Sequence, residues 1–334
     1  MSGFFTYRQF SLYDTPSLAN QVAVVTVKIT AQLLLHGIEK VYVLARSHDK
    51  YIRAQEEWQR RIGGSLGKGN TRVQFIQCDL ADIVAAKNAA NKLKHKTDRL
   101  DIMICNAAIG VSTNYERSPQ GIEQVFASNC VGHQVLATNL LPLMKRTINQ
   151  GKASNGRIAV ASSSMHAFCC ELNLDLLTSP TRLKPAYIDG VWRYARAKVG
   201  NILFARELSL RLMQEEDPAS SKIYVNAFFP GNIVTDQWSV WDEYIGEAWV
   251  PCLGAYSQSL VRAWKMYFIP IAKPYKTTAI ASDMKLARDL WGVLSRMKDH
   301  YLLGGLFYAQ DWTEAKAAEA LGPEEQAKTR TVDG

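Results

Sequence analysis

Between Gln21 and Phe229 the chain alternates between two hydrophobic periods. Short, nearly continuous apolar runs, several of them β-branched, stand at Gln21–Val27 (QVAVVTV), Lys40–Arg46 (KVYVLAR), Val73–Asp79 (VQFIQCD), Leu100–Asn106 (LDIMICN), Arg157–Ser162 (RIAVAS) and Tyr224–Phe229. Runs of this kind fill strands that are buried on both faces. Between them lie stretches with helical spacing, at Ile29–His36, Asp49–Ile62, Ala81–His95, Gly121–Thr147 and Val191–Met213. This strand–helix alternation, with no linker inside it, predicts an α/β fold: a parallel sheet covered by helices on both faces, in three layers.

Past Pro230 the pattern changes. Asn232–Lys276 carries Trp238, Trp241, Trp249 and Trp264 and reads as loops and short helices, and Asp283–Met297 again has helical spacing. Met266–Ile271 (MYFIPI) and Gly304–Tyr308 (GGLFY) each suit a seventh strand. The expected organisation is an N-terminal extension over residues 1–20, one domain over 21–312, and a polar, charged tail over 313–334 that has too little apolar surface to fold.

Composition narrows the classes of function. The 334 residues hold 39 Lys+Arg against 31 Asp+Glu, a formal charge of +8, without a basic block or a recognition module, so nucleic acid is not an expected partner. No apolar run reaches the ~18–20 residues of a membrane span. The first 20 residues have no apolar signal core, and Cys78, Cys105, Cys130, Cys169, Cys170 and Cys252 follow no disulfide or metal-ligand spacing. These features predict a cytoplasmic protein with reduced thiols and no metal.

In a parallel sheet of this order, ligands bind at the carboxyl ends of the strands. Those ends carry Arg46, Asp79, Asn106, Ser162-Ser163-Ser164 and, after the sixth strand, Pro230-Gly231-Asn232-Ile233-Val234-Thr235. The helix after the fifth strand carries Tyr194 and Lys198, four apart and so on one face. An ammonium near a phenol favours the phenolate and suits the phenol to acid/base work near neutrality. Chance also supplies such a pair in a chain with 14 tyrosines, and a solvated helix pair is the plainer reading of the spacing alone. Arg46 bears on the cofactor: an acidic residue there would bind a ribose 2′-hydroxyl, whereas a guanidinium pairs with a 2′-phosphate. This favours NADP over NAD; an exposed arginine at a strand end is the plain alternative.

Taken together, the stretches CNAAIG (105–110), RIAVASSS (157–164), YARAKVGNILFAREL (194–208) and FFPGNIVT (228–235) resemble the short-chain dehydrogenase/reductase family, over Gln21 to Thr235. Within it the chain looks most like the branch of retinol dehydrogenases and WW-domain oxidoreductases, with fungal relatives. The resemblance implies a Rossmann-type, doubly wound sheet and hydride transfer between a hydroxyl and a carbonyl. Tyr194 would be the proton donor or acceptor, Ser163 would hold the reacting oxygen, and Lys198 would bind the nicotinamide ribose and lower the Tyr194 pKa. Asn129, in FASNCVGH, would support the proton relay. Asn106 would hold the strand-four end near the cofactor ribose, Asp79 would meet the adenine, and Ile233 and Thr235 would contact the nicotinamide amide. The plainer alternatives are a turn cap for Ser162 and Ser164, a polar helix-face residue for Asn129 and an N-cap for Thr235. The Trp-rich region, about 232–276, falls where the family builds its substrate loop and implies a sizeable apolar substrate; core filling or a homodimer face is the other reading of those tryptophans. The family's final helix follows its last strand, which favours Met266–Ile271 as that strand.

One departure stands out. The family's first turn is Thr-Gly-x-x-x-Gly-x-Gly, whose glycines bring backbone N–H groups to the cofactor pyrophosphate. Here Thr26 runs directly into Val27-Lys28-Ile29, and no glycine stands between Gly3 and Gly37. The match Gly63-x-x-x-Gly67-x-Gly69 follows a helix and precedes a strand, the reverse of a phosphate loop, and reads as a flexible connection. Two readings stay open: a gene-model error at this junction, or a real variant with weakened dinucleotide affinity, in the extreme a binding or scaffold protein without turnover. The short connection also predicts fraying of the first strand or the first helix.

Overall fold

The structure is a computed structural model describing residues 15–26, 29–62, 72–178, 186–230 and 277–302. Ile233, Thr235, the Trp-rich region, both candidate seventh strands, the 63–70 connection and the 313–334 tail lie outside the described residues.

Six strands form one parallel sheet: β1 (Val22–Val25), β2 (Lys40–Ala45), β3 (Val73–Gln77), β4 (Ile102–Cys105), β5 (Gly156–Ala161) and β6 (Ile223–Phe228), in the order β3-β2-β1-β4-β5-β6. The chain winds outward from β1 to β3, returns past β1, and winds the other way from β4 to β6. β1 is therefore hydrogen-bonded on both sides, to β2 and to β4. The alternating side chains of β1 explain why its sequence is apolar throughout. Val22 and Val24 enter one core, with Leu93, Leu136, Leu140 and Leu203, while Ala23 and Val25 enter the opposite one, with Leu33, Leu34, Ile38 and Trp58.

The helices α1 (Thr30–Leu35) and α2 (His48–Ile62) cover the second of these faces. The first is covered by α3 (Ile83–Lys96), the short α4 (Gln124–Phe126), α5 (Gly132–Asn149), α6 (Ala186–Gln214), α7 (Ala279–Ser282) and α8 (Met284–Leu302). α8 packs on α6 and reaches α3. Its Trp291 stacks on Phe204 with ring centroids 5.9 Å apart, and the Arg211 guanidinium lies 4.7 Å from the same indole.

Two local features differ from the sequence expectations. α1 has six residues, about 9 Å of helix at 1.5 Å per residue, shorter than the expected Ile29–His36, as β1 is shorter than the expected Gln21–Val27. Leu33 and Leu34 are buried, and the helix closes on Gly37 at φ +79°, with Gly37 N–H bonded to the Leu34 carbonyl and Ile38 N–H to the Leu33 carbonyl. The long helix expected over Gly121–Thr147 begins only at Gln124 and contains a π turn, Ala127–Val131, between α4 and α5. Glu123 starts it by accepting from the Val125 and Phe126 N–H groups, an N-cap that the apolar spacing alone did not reveal.

The π turn brings the start of α5 against the chain leaving β3. A Cβ added at Gly132 would lie 2.1 Å from the Leu80 carbonyl oxygen, a backbone contact that no rotamer change relieves. Gly132→Ala is expected to destabilise the protein by about 3 kcal/mol, read as a lower urea midpoint at unchanged slope.

Candidate active site

The carboxyl ends of the strands lie along one edge of the sheet, and six of the nine residues singled out from the sequence stand on or beside it. Asp79 follows β3, Arg46 follows β2, Asn106 follows β4 and Ser163 follows β5 by two residues, while Tyr194 and Lys198 come from the middle of α6. Asn129 sits in the π turn. Ile233 and Thr235 lie outside the described residues.

The two serines before Ser164 have different work. Ser162 is buried, and its hydroxyl donates to the Lys198 backbone carbonyl at 2.8 Å, which ties β5 to α6. Ser163 is the one that acts on the Tyr194 phenol, and its Oγ accepts from Met165 N–H at 3.2 Å. His166 donates from Nδ1 to the Ser163 carbonyl, 2.6 Å away, and steadies the same turn. Burial pushes the Tyr194 phenol above its ordinary value, and the Ser163 hydrogen bond draws it part of the way back. Lys198 does not set that phenol here: its Nζ lies 5.3 Å from the Tyr194 ring centroid and donates to the Ala161 carbonyl at 3.2 Å. The expected lowering of the Tyr194 pKa is thus outweighed by burial.

Lys198 is 2% exposed, and burial depresses it to about 8. Among the described residues the Ala161 carbonyl, shared with Asn201 Nδ2 at 2.9 Å, is its one hydrogen-bond acceptor. An ammonium has three N–H groups, so two remain for hydroxyls brought by a ligand.

At the sheet's switch point the connections are dense. Thr26 is fully buried at the end of β1, and its Oγ accepts from the Asn106 and Ala107 N–H groups at 2.8 and 2.9 Å. It also meets His133 Nε2 at 3.0 Å. Asn129 accepts from Ile109 N–H at 2.7 Å and donates to the Ile109 carbonyl at 2.8 Å. Asp79 Oδ1 accepts from Ala81 N–H at 2.9 Å, a turn-forming role, and Arg46 is exposed, with its carbonyl held by Gln77 Nε2. Thr26, His133, His166 and Asn201 were not singled out from the sequence. For His133 the signal was there, four residues after Asn129 on a helix, the spacing at which a side chain reaches a backbone carbonyl.

Behind the reacting pair lies a buried ionic cluster. Arg193 pairs with Asp189, lies 3.6 Å from Glu123, and donates to the Ser112 and Asn114 carbonyls at 2.7 and 3.2 Å. It holds the loop after β4 against α6.

A family model described as short chain dehydrogenase matches residues 27–169. A short-chain dehydrogenase/reductase of Armillaria gallica is 30% identical over 236 residues, covering 68% of this chain and 70% of its own. The chain belongs to the short-chain dehydrogenase family. A Neurospora crassa protein named as the mitochondrial oxidoreductase bli-4 is 30% identical over 68% of this chain, which spans 55% of its length. Retinol dehydrogenase 14 of Mus musculus is 30% identical over 63% of this chain and 58% of its own. A crystal structure of a Mycobacterium paratuberculosis protein superposes with a TM-score of 0.61, at 22% identity, over 87% of this chain and 98% of that one, and shares the fold.

Members of this oxidoreductase family work with a nicotinamide dinucleotide, and this chain suits its two ends unequally. The two N–H groups of Lys198 that have no acceptor among the described residues fit a nicotinamide ribose. The pyrophosphate end does not fit the family's arrangement: Thr26, Val27, Lys28 and Ile29 alone separate β1 from α1, and none is glycine.

Two titrations follow. The folded value of Lys198, about 8, lies below its ordinary 10.5, so its contribution to stability is full above pH 10.5 and lost as pH falls through 8. At pH 7 the buried ammonium then costs about 3 kcal/mol, and Lys198→Met is expected to raise the melting temperature of the ligand-free protein. His133, fully buried, is depressed from 6.5 to about 4, so the stability it supports is present above pH 6.5 and lost as pH falls through 4. Urea unfolding between pH 7 and pH 4 should show a loss that includes about 3 kcal/mol from this group, and replacing His133 with Phe should remove that share.

Proposed function

We propose that the chain is an oxidoreductase interconverting a hydroxyl and a carbonyl on a sizeable apolar small molecule, with NADP preferred to NAD. The observation that carries this reading is the group at the end of β5: Ser163 beside Tyr194 and lowering its phenol, with the buried Lys198 against the tyrosine ring.

A phenol kept protonated by burial is suited to give its proton to the substrate oxygen as a carbonyl is reduced, and to take it back in the reverse direction. Ser163 holds the same oxygen by a hydrogen bond, and Lys198 offers its two remaining N–H groups to ribose hydroxyls. A nicotinamide bound there would supply or accept the hydride. Asn129 would support the proton relay, Asn106 would meet the cofactor ribose, and Ile233 and Thr235 would meet the nicotinamide amide. At the adenosine end Asp79 would meet the adenine, and the exposed Arg46 guanidinium is the group that would pair with a 2′-phosphate.

The apolar substrate is supported by Phe168 and Trp192, which are 59% and 38% exposed on the segments that carry Ser163 and Tyr194. Retinol dehydrogenase 14, one of the relatives, is named for an apolar alcohol. Residues 232–276, within the proposed 21–312 domain, would complete the substrate site or a homodimer face. The described cysteines are all free, which suits the cytoplasm, as would any compartment that keeps thiols reduced.

The test is NADPH-dependent reduction of apolar aldehydes and ketones, retinaldehyde among them. Tyr194→Phe should lower kcat by about 10²–10⁴ while NADPH still binds. A well-folded protein that neither binds millimolar NADPH nor consumes carbonyl would overturn the enzyme reading in favour of a binding protein. A lower KM for NADH than for NADPH would overturn the cofactor choice.

A further inference from the structure

His133 is 1% exposed and makes two hydrogen bonds, from Nδ1 to the Asn129 backbone carbonyl and from Nε2 to Thr26 Oγ, each 3.0 Å. Its partners fix its chemistry. A carbonyl oxygen only accepts, so Nδ1 carries the proton, and Nε2 of the neutral ring, at 3.0 Å, is the nearer acceptor for the Thr26 hydroxyl, the Ile104 carbonyl lying 3.4 Å away. The two lone pairs of that hydroxyl take the Asn106 and Ala107 N–H groups. An imidazolium would add a third donor aimed at an oxygen with no acceptor capacity left.

The other end of the ring reaches the backbone carbonyl of Asn129, whose side chain bonds both the N–H and the carbonyl of Ile109. The turn over residues 106–109 is thus gripped at one end by Thr26 and at the other by Asn129. His133 is the side chain that joins the two grips.

We infer that His133 is a positioning residue: it sets the 106–109 turn from the end of β1, and with it Asn106 and the cofactor ribose expected there. The effect on cofactor rests on the function proposed above; the effect on the turn does not. In a chain with no glycine between β1 and α1, this bridge is what relates the end of β1 to the π turn and to the helix that follows it.

Three measurements test it. In the wild-type chain at pH 7, long-range ¹⁵N–¹H correlation should show His133 as the neutral Nδ1–H tautomer. In His133→Phe, amide exchange at Asn106, Ala107 and Ile109 should speed up about tenfold or more, while amides of β6 keep their rates. The KM for NADPH should rise about tenfold in the same variant with kcat little changed. His133→Asn, which can still donate to the carbonyl four residues back as Asn139 does to Val135 at 2.7 Å, should restore protection at Ile109 but not at Asn106. An Nε2–H tautomer or an imidazolium, unchanged exchange at the three amides, or a uniform acceleration across the sheet would overturn the inference, and an unchanged KM would overturn its cofactor part. If His133→Phe does not fold, the wild-type tautomer and the exchange of His133→Asn decide. A wild type without NADPH-dependent turnover would sink the proposed function and leave the tautomer and exchange results to judge His133.

Discussion

A hydroxyl buried at the end of a central strand must find its partners there or cost the fold a desolvated polar group. Thr26 finds them on two segments: the imidazole of α5, and β4 with the turn that follows it, through the Ile104 carbonyl and the Asn106 and Ala107 amides. β1 lies between β2 and β4, so its end is the place where the two halves of the sheet separate and where the crevice opens. That one oxygen joins the end of β1 to α5 and to the turn carrying Asn106, beside the backbone ladder that pairs β1 with β4.

Lys198 stands on a different physical footing. Lys198 is buried with one hydrogen-bond acceptor among the described residues and no carboxylate partner there, an arrangement that folding alone would not favour. The surrounding structure over-determines it: Ser162 ties the Lys198 backbone to β5, and Asn201 shares its acceptor. Groups held in this way are poised for a ligand that supplies the missing acceptors, and a bound ribose would relieve the desolvation.

The sheet was legible because strands buried on both faces read as continuous apolar runs, and all six lie where those runs stand. The candidate site residues were legible only through a joint pattern. Tyr194 and Lys198 by spacing alone are indistinguishable from a surface pair, and which serine faces the tyrosine depends on the rotation of the chain leaving β5. The π turn was not legible, since one extra residue in a helical turn leaves the apolar spacing almost unchanged. The way α1 ends was not legible either: the closure of the helix on Gly37 and the burial of Leu33 and Leu34 depend on tertiary contacts that a local reading omits. Thr26 was read as the last residue before a missing loop, and its hydroxyl, the part that matters most, has no signature of its own.

The ionic cluster around Arg193 has a consequence for how such a chain changes over time. Arg193 is 2% exposed and joins Asp189, Glu123 and the carbonyls of Ser112 and Asn114. Removing any one charge strands the others away from water, whereas replacing the set together with apolar side chains need not cost stability. Single-step drift at these positions is therefore blocked, and substitutions there are expected to arrive as correlated sets. The loop after β4 inherits that restraint through its two carbonyls.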